Sequence, residues 1–202
     1  DIRAHDFKIL SALEKLSGKA SVEQIMNESG LSDAAITRAA LALHEKELVT
    51  IREKKWTIVR LNEEGKIHAK KGLPERRLIN ALKRLEGKAP LKKVIEKAGL
   101  EEQFIPIALG WVQKKKWVTL DTKTNMLQIR EKLEEGNDEK LLKLLIGKSQ
   151  TTIENLSPEL QEAFHILKRR KLLEVEEKTK RSIKMTEAGQ MVIRKGVKVA
   201  GE

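Results

Sequence analysis

The chain has 202 residues, 40% hydrophobic but only 3% aromatic, and carries a formal charge of +11. It has no cysteine, which excludes a disulfide framework and a thiolate metal site. It has no run of about 18 apolar residues, the length a membrane-spanning helix needs, and no signal-peptide pattern. Several small cores filled by Leu, Ile and Val fit this composition better than one large β-sandwich. The basic excess is uneven. Residues 73–130 carry 13 basic and 6 acidic side chains, an excess of seven, whereas 1–72 and 131–202 carry an excess of two each. Such a patch suggests a polyanion partner held with salt-sensitive affinity. A Lys/Glu-rich surface of a heat-tolerant protein would have the same composition.

In chain order, the pattern starts almost at Asp1, as expected of a trimmed piece. Phe7, Leu10, Leu13 and Leu16 fall at helical spacing and predict a first helix. A small-polar break at residues 17–21 follows. Ser21, with Gln24 three residues on, has the form of a capping box opening a short second helix, Val22–Ser29, which Gly30 stops. A third helix is predicted from an N-cap at Ser32 to about Lys46. Two strand-like runs come next, 48–52 and 56–61, with a turn expected at 53–55; the second run alternates with period two.

The pattern then repeats. A shift of 69 lays residues 7–13 on 76–82, Gly30 on Gly99, and 48–50 on 117–119. Copy two has its break at 86–90, a third helix over 101–115, and strands Val118–Asp121 and Met126–Ile129 turned at 122–125. Pro106 falls inside that third helix, where it would remove a backbone hydrogen bond and kink it. A shorter third copy has apolar residues at 141–145, a second segment at 152–156, a third helix over 157–170 with Pro158 in its first turn, and strands at 173–176 and 183–185 turned at 178–181. Thr186-Glu-Ala-Gly189 echoes Asn62-Glu-Glu-Gly65. Three helices and a hairpin form the winged helix-turn-helix plan. The expectation is therefore a mainly α protein with small β-hairpin wings, α+β in class, in three tandem winged helix-turn-helix domains at 1–72, 73–130 and 131–202.

Between copies one and two, Gly65 and Gly72 bracket a short helical segment. Pro74 suits the first turn of a new helix and Glu75 its positive end. The string Leu61-Asn-Glu-Glu-Gly65, then Lys71-Gly-Leu-Pro-Glu-Arg-Arg-Leu78, resembles the N-terminal region of the α subunit of archaeal and eukaryotic cytosolic phenylalanyl-tRNA synthetase. That family carries a similar L-[ST]-E-E-G…K-G-L-P-E-R-R-L passage; Asn62 stands where a hydroxyl residue is usual. The resemblance covers the whole chain. It implies three winged-helix-type domains in series, the third able to nest against the second, forming an appendage that holds tRNA. The charging itself would fall to an absent class II core using ATP and Mg²⁺. The complete protein would be a cytoplasmic (αβ)₂ heterotetramer with a β subunit, specific for phenylalanine tRNA.

No class II signature segment and no GxxxxGK phosphate loop occurs in the chain. His5, His44, His68 and His165 are far apart and read as surface or helix-face residues. No catalytic residue and no metal ligand is assigned, and the fragment is expected to be inactive alone. Trp111 and Trp117 read as core filling. A winged helix offers the outer face of its third helix and its wing to nucleic acid. That selects Lys168, Arg169, Arg170 and Lys171 with wing residues Lys178, Lys180 and Arg181; Lys114, Lys115 and Lys116 with Lys123; and Arg52, Lys54 and Lys55 in copy one. Cations at a helix C-terminus also favour the helix dipole, which accounts for one or two charges but not four in a row. Few of these side chains suit base-edge readout, so backbone and shape contacts to folded RNA fit better than duplex sequence reading. A tandem winged-helix DNA-binding regulator or a protein-interaction scaffold is the alternative.

Overall fold

The computed structural model describes residues 2–130 and 133–196. It is a mixed α+β chain with small antiparallel sheets. Copy one runs α1 (Ala4–Lys15), β1 (Lys19–Ser21), α2 (Val22–Ser29), α3 (Asp33–Glu45) and β2 (Val49–Leu61), and α4 (Glu63–Lys71) leads out of it. Copy two runs α5 (Pro74–Arg84), β3 (Lys88–Pro90), α6 (Leu91–Ala98), α7 (Ile105–Lys114), β4 (Val118–Asp121) and β5 (Met126–Ile129). Copy three runs α8 (Asn137–Lys148), β6 (Gln150–Thr152), α9 (Pro158–Arg169) and β7 (Leu173–Met185), closed by α10 (Glu187–Arg194).

Copy two follows the sequence expectation most closely. Its three strands form a sheet in the order β3-β5-β4, with Ala89 and Leu120 on either side of Leu127. The hairpin turn is made by polar residues suited to it. Asp121 Oδ1 accepts from the Lys123 N–H at 2.9 Å, and Asn125 takes the left-handed conformation at φ 57°. The predicted kink is absent. A 3₁₀ turn (Glu102–Phe104) precedes α7, and Pro106 sits in the first turn of that helix, where its missing N–H costs no helical hydrogen bond.

The capping box of copy one is present: the Ser21 N–H donates to Gln24 Oε1 at 2.9 Å and the Gln24 N–H to Ser21 Oγ at 3.2 Å. The repeat is written into the backbone. Ser17, Glu86 and Ser149 after the first helices, and Glu47, Lys116 and Lys171 after the third, all adopt positive φ. In copy three the second helix is reduced to one 3₁₀ turn, Ile153–Asn155.

Two expected hairpins are absent. The turns predicted at 53–55 and 178–181 lie in the middle of β2 and β7, each an unbroken strand of 13 residues. The physical reason is in the residues. Glu53-Lys-Lys55 and Lys178-Thr-Lys-Arg181 contain no Gly, Asn or Asp to take the positive φ that a tight hairpin turn requires. Each strand continues without a turn and pairs with the other copy. The resulting sheet has the order β1-β7-β2-β6. Copy one's β1 pairs antiparallel with copy three's β7 (Ala20 opposite Ile183), and copy three's β6 pairs antiparallel with copy one's β2 (Val59 opposite Thr151).

The two echoing motifs seal this exchange reciprocally. At the end of β2 the Asn62 N–H donates to Leu172 O at 3.0 Å and Asn62 Nδ2 to Lys171 O at 2.7 Å, while Asn62 Oδ1 caps α4 by accepting from the Gly65 N–H at 2.8 Å. At the end of β7 the Thr186 N–H donates to Leu48 O at 3.0 Å and Thr186 Oγ1 to Glu47 O at 2.8 Å, while that hydroxyl caps α10 by accepting from the Gly189 N–H at 3.1 Å.

The chain divides into two compact units, residues 1–56 with 177–202, and residues 57–176. The divisions fall inside β2 and β7, so the units are not collinear with the repeats. The first unit is built on Ile9, Leu10, Leu13, Ile25, Ile36 and Leu43 of copy one together with Ile183 and Met185 of copy three. The second holds two apolar clusters. One is made within copy two, around Ile79, Leu82, Val94, Val112 and Leu127. The other joins Val59, Leu61 and Leu73 to Leu141, Leu145, Phe164 and Leu167.

Candidate nucleic-acid interface

Glu75, Arg76 and Arg77 of the hinge string are engaged within the second unit. Glu75, in the first turn of α5, is fully buried. Arg170 grips its carboxylate with two hydrogen bonds of 2.8 and 2.9 Å, and Lys115 Nζ lies 2.8 Å from Glu75 Oε2 and 2.7 Å from Asp138 Oδ2. Arg76 makes two 2.8 Å bonds to Glu139 and stacks 4.3 Å from the Trp117 ring centre, and Arg77 reaches Glu101 at 3.1 Å. The Arg170 guanidinium lies 4.4 Å from the centre of Trp111. Burial by itself raises the Glu75 carboxyl, but the Arg170 hydrogen bonds and charge, joined by Lys115, outweigh it and hold the group below its usual value. Pro74-Glu75-Arg76-Arg77 is thus a clamp whose three charges each join α5 to a different segment.

Two candidate phosphate ligands are consumed by this clamp. The side chains of Lys115 and Arg170 are only 16% and 8% exposed. Their neighbours Lys114, Lys116, Lys168, Arg169 and Lys171 are exposed, as is Lys123 in the β4–β5 turn. Trp117 fills the copy-two core as expected, while Trp111 is half-buried and serves as a platform for cations. His68 departs from the surface reading. It is 3% exposed, its ring meets Phe104 edge-on at 4.9 Å, and among the described residues its Nδ1 is buried without a hydrogen-bond partner. Desolvation lowers its pKa, with Glu64 opposing and Arg170 adding to the effect.

The first unit gathers the remaining candidates on the sheet. Val49 and Ile51 of β2, and Ile183 and Met185 of β7, pack on the core. By strand alternation Arg52, Lys54 and Trp56, with Lys178, Lys180 and Lys184, take the opposite face. Lys19 on β1 lies directly opposite Lys184. Lys19, Lys54 and Lys180 line one open depression of about 370 Å³ with Ser21, Gln24 and Ser182. Trp56, Lys178 and Lys180 line a neighbouring one of about 400 Å³ together with the acidic Glu23 and Asp33. Lys55 and Arg181 fall on the core-side parity. Lys55 lies 3.7 Å from Glu53, and Arg181 donates to Asp33 at 3.1 Å and Thr37 at 3.2 Å.

The winged-helix pattern does not select Lys19 or Lys184. The signal in the sequence is the run of cations at 178, 180 and 184, one face of a strand, which the expected turn obscures. Like charges directly opposite on paired strands are destabilising, so the Lys19–Lys184 pair is a cost that a bound anion would relieve. Lysines present point charges without the planar fork that reads a base edge. The face therefore suits a phosphate backbone.

No family model matches the chain. Individual proteins do. The chain is 29% identical over 202 residues to the "Phenylalanine--tRNA ligase alpha subunit" of Methanothermobacter thermautotrophicus, covering all of this chain and 39% of that protein. It is 32% identical over 199 residues to the subunit of the same name from Pyrococcus abyssi, 96% of this chain and 39% of that one. It is 34% identical over 180 residues to that of Thermococcus gammatolerans, 85% and 34%. The chain thus spans less than two fifths of the length of each. These matches bear out the resemblance drawn from the hinge string: along its whole length the chain is similar to one part of the phenylalanine–tRNA ligase α subunit, consistent with the N-terminal region of that family.

Proposed function

We propose that the chain is the tRNA-holding appendage of a phenylalanine–tRNA ligase α subunit, and that its repeats at 1–72, 73–130 and 131–202 are three winged-helix-type modules in series, of which the second keeps its own hairpin wing while the first and third exchange the strands β2 and β7 instead. The observation that carries this reading is the similarity of essentially the whole of this chain to one part of those α subunits, joined to the cluster of Lys19, Lys54 and Lys180 on one sheet face. Their name supports a role in that enzyme; tRNA binding is our extension of it. The exposed Lys114, Lys116, Lys123, Lys168, Arg169 and Lys171 of the second unit form a further set of proposed phosphate ligands. In this reading ATP, Mg²⁺ and phenylalanine are handled by a catalytic core outside the sequence, the partner is a β subunit in an (αβ)₂ assembly, and the chain alone charges no tRNA. Among the described residues no helix is long and apolar enough to cross a membrane, and we place the protein in the cytoplasm with its substrate.

The test is a salt-titrated binding assay with phenylalanine tRNA, a non-cognate tRNA and a DNA duplex of similar charge. Tighter binding to tRNA is expected, with affinity falling as salt rises. Lys54→Gln with Lys180→Gln should shallow the log–log salt slope by about 2, one for each phosphate no longer neutralised. Equal or tighter binding to the DNA duplex would overturn the reading in favour of a DNA-binding regulator. Pyrophosphate exchange with phenylalanine and ATP should be undetectable for the chain alone.

A further inference from the structure

The three tryptophans are not equivalent. Trp111 and Trp117 each carry a guanidinium within 4.4 Å of the ring centre, from Arg170 and Arg76 respectively. Those rings are occupied by the protein's own cations. Trp56 differs. Lys54 Nζ lies 6.0 Å from its ring centre, at the outer edge of a useful cation–π distance. Its ring is half-buried and lines an open depression beside Lys178 and Lys180. It shares the strand-face parity of Lys54 and Arg52, and the depression lined by Lys19, Lys54 and Lys180 adjoins it through Lys180.

An aromatic ring open to solvent, flanked by cations spaced along two neighbouring strands, is the pairing that single-stranded nucleic acid requires. Phosphates follow the cations, and one base leaves its neighbours to stack on the ring. A closed duplex cannot use such a ring, because its bases already stack on each other. An acidic peptide would satisfy the lysines but leave the ring without a planar partner. Resting on the reading that this sheet face meets RNA, we propose that Trp56 is a stacking platform for an unpaired base, and that the first unit takes an unpaired RNA segment whose phosphates lie on Lys19, Lys54 and Lys180.

The experiment compares two RNAs of equal phosphate number, a hairpin with an unpaired loop and a blunt duplex, against the wild-type chain and the Trp56→Leu, Trp56→Phe and Lys54→Gln/Lys180→Gln variants. Base–aromatic stacking leads us to expect that Trp56→Leu weakens hairpin binding by about tenfold while leaving duplex affinity unchanged. Trp56→Phe keeps a ring and should recover most of the affinity, and retained duplex binding shows that the Leu variant is folded. The lysine variant should weaken both RNAs and shallow both salt slopes. If Trp56→Leu weakens both RNAs equally, or neither, the stacking role is overturned while the lysine effect keeps the RNA face standing. If the lysine variant changes nothing, the RNA face fails and the stacking role falls with it. Displacement of the hairpin by poly-glutamate with equal potency on the wild type and Trp56→Leu would overturn the proposal in favour of an acidic protein partner.

Discussion

Glu75 shows how a surface-looking motif residue becomes structural. In sequence it is an acid in the first turn of a helix, worth a modest dipole interaction. In the folded chain it is fully buried between Arg170 and Lys115. Removing one partner of such a group leaves buried charge uncompensated, so Glu75→Ala should destabilise the second unit by about 3–5 kcal/mol. Urea unfolding followed by Trp111 and Trp117 fluorescence would measure it. The pH dependence has a definite sign. The folded-state pKa of Glu75 lies below its ordinary value of 4.5, so its contribution is complete above 4.5 and is lost as pH falls through the lower folded value. The pKa of His68 is lowered from 6.5, so its neutral form is favoured by folding and stability begins to fall as pH drops below 6.5. Acid should therefore weaken the wild type in two stages. His68→Leu, measured by the midpoint of urea unfolding against pH, should remove the upper stage and leave the lower one.

At the scale of elements, the decisive feature is that β2 and β7 do not turn. Their ends dock through Gly65 and Gly189, where the backbone approaches Leu172 O and Leu48 O too closely for any side chain. A Cβ at either place must push a strand-end carbonyl aside, and overpacking of this kind costs about 1–3 kcal/mol. Gly65→Ala and Gly189→Ala should each lower stability by a similar amount, because the two joints are the same motif used twice. At about 2–4 °C per kcal/mol for a chain of this size, differential scanning calorimetry would resolve both. A substitution at either glycine without a fall in stability would show that the reciprocal joints are not close-packed.

For the molecule as a whole, exchanged strands mean that a repeat is not always a folding unit. Residues 1–72 hold copy one but lack Ile183 and Met185, which complete its core. Copy two keeps Ile79, Leu82, Val94, Val112 and Leu127 within its own bounds. At 72 and 58 residues both pieces are near the lower limit of self-support, so closure of the core decides the outcome. The 73–130 fragment should give dispersed amide resonances and a cooperative melt. The 1–72 fragment should be largely unfolded, and adding a peptide of residues 173–196 should restore its structure. A folded 1–72 fragment would show that β7 is dispensable to that core.

The sequence by itself determined most of the helices, the caps at Ser21 and Ser32, the copy-two hairpin, the repeat, and the resemblance carried by residues 61–78. All of these depend on local periodicity, on residues with one conformational role, or on a contiguous string. Only the tertiary structure decided where β2 and β7 find their partners, since strand pairing at long sequence separation leaves no period in the chain. It also decided which cations are available. Lys115 and Arg170 look identical to Lys114 and Arg169 in a basic run, and only the burial of Glu75 and Asp138 beside them takes the first two out of reach of a ligand. Lys19 joins Lys54 and Lys180 for the same reason: three separate segments become one charged face when the strands that carry them lie side by side.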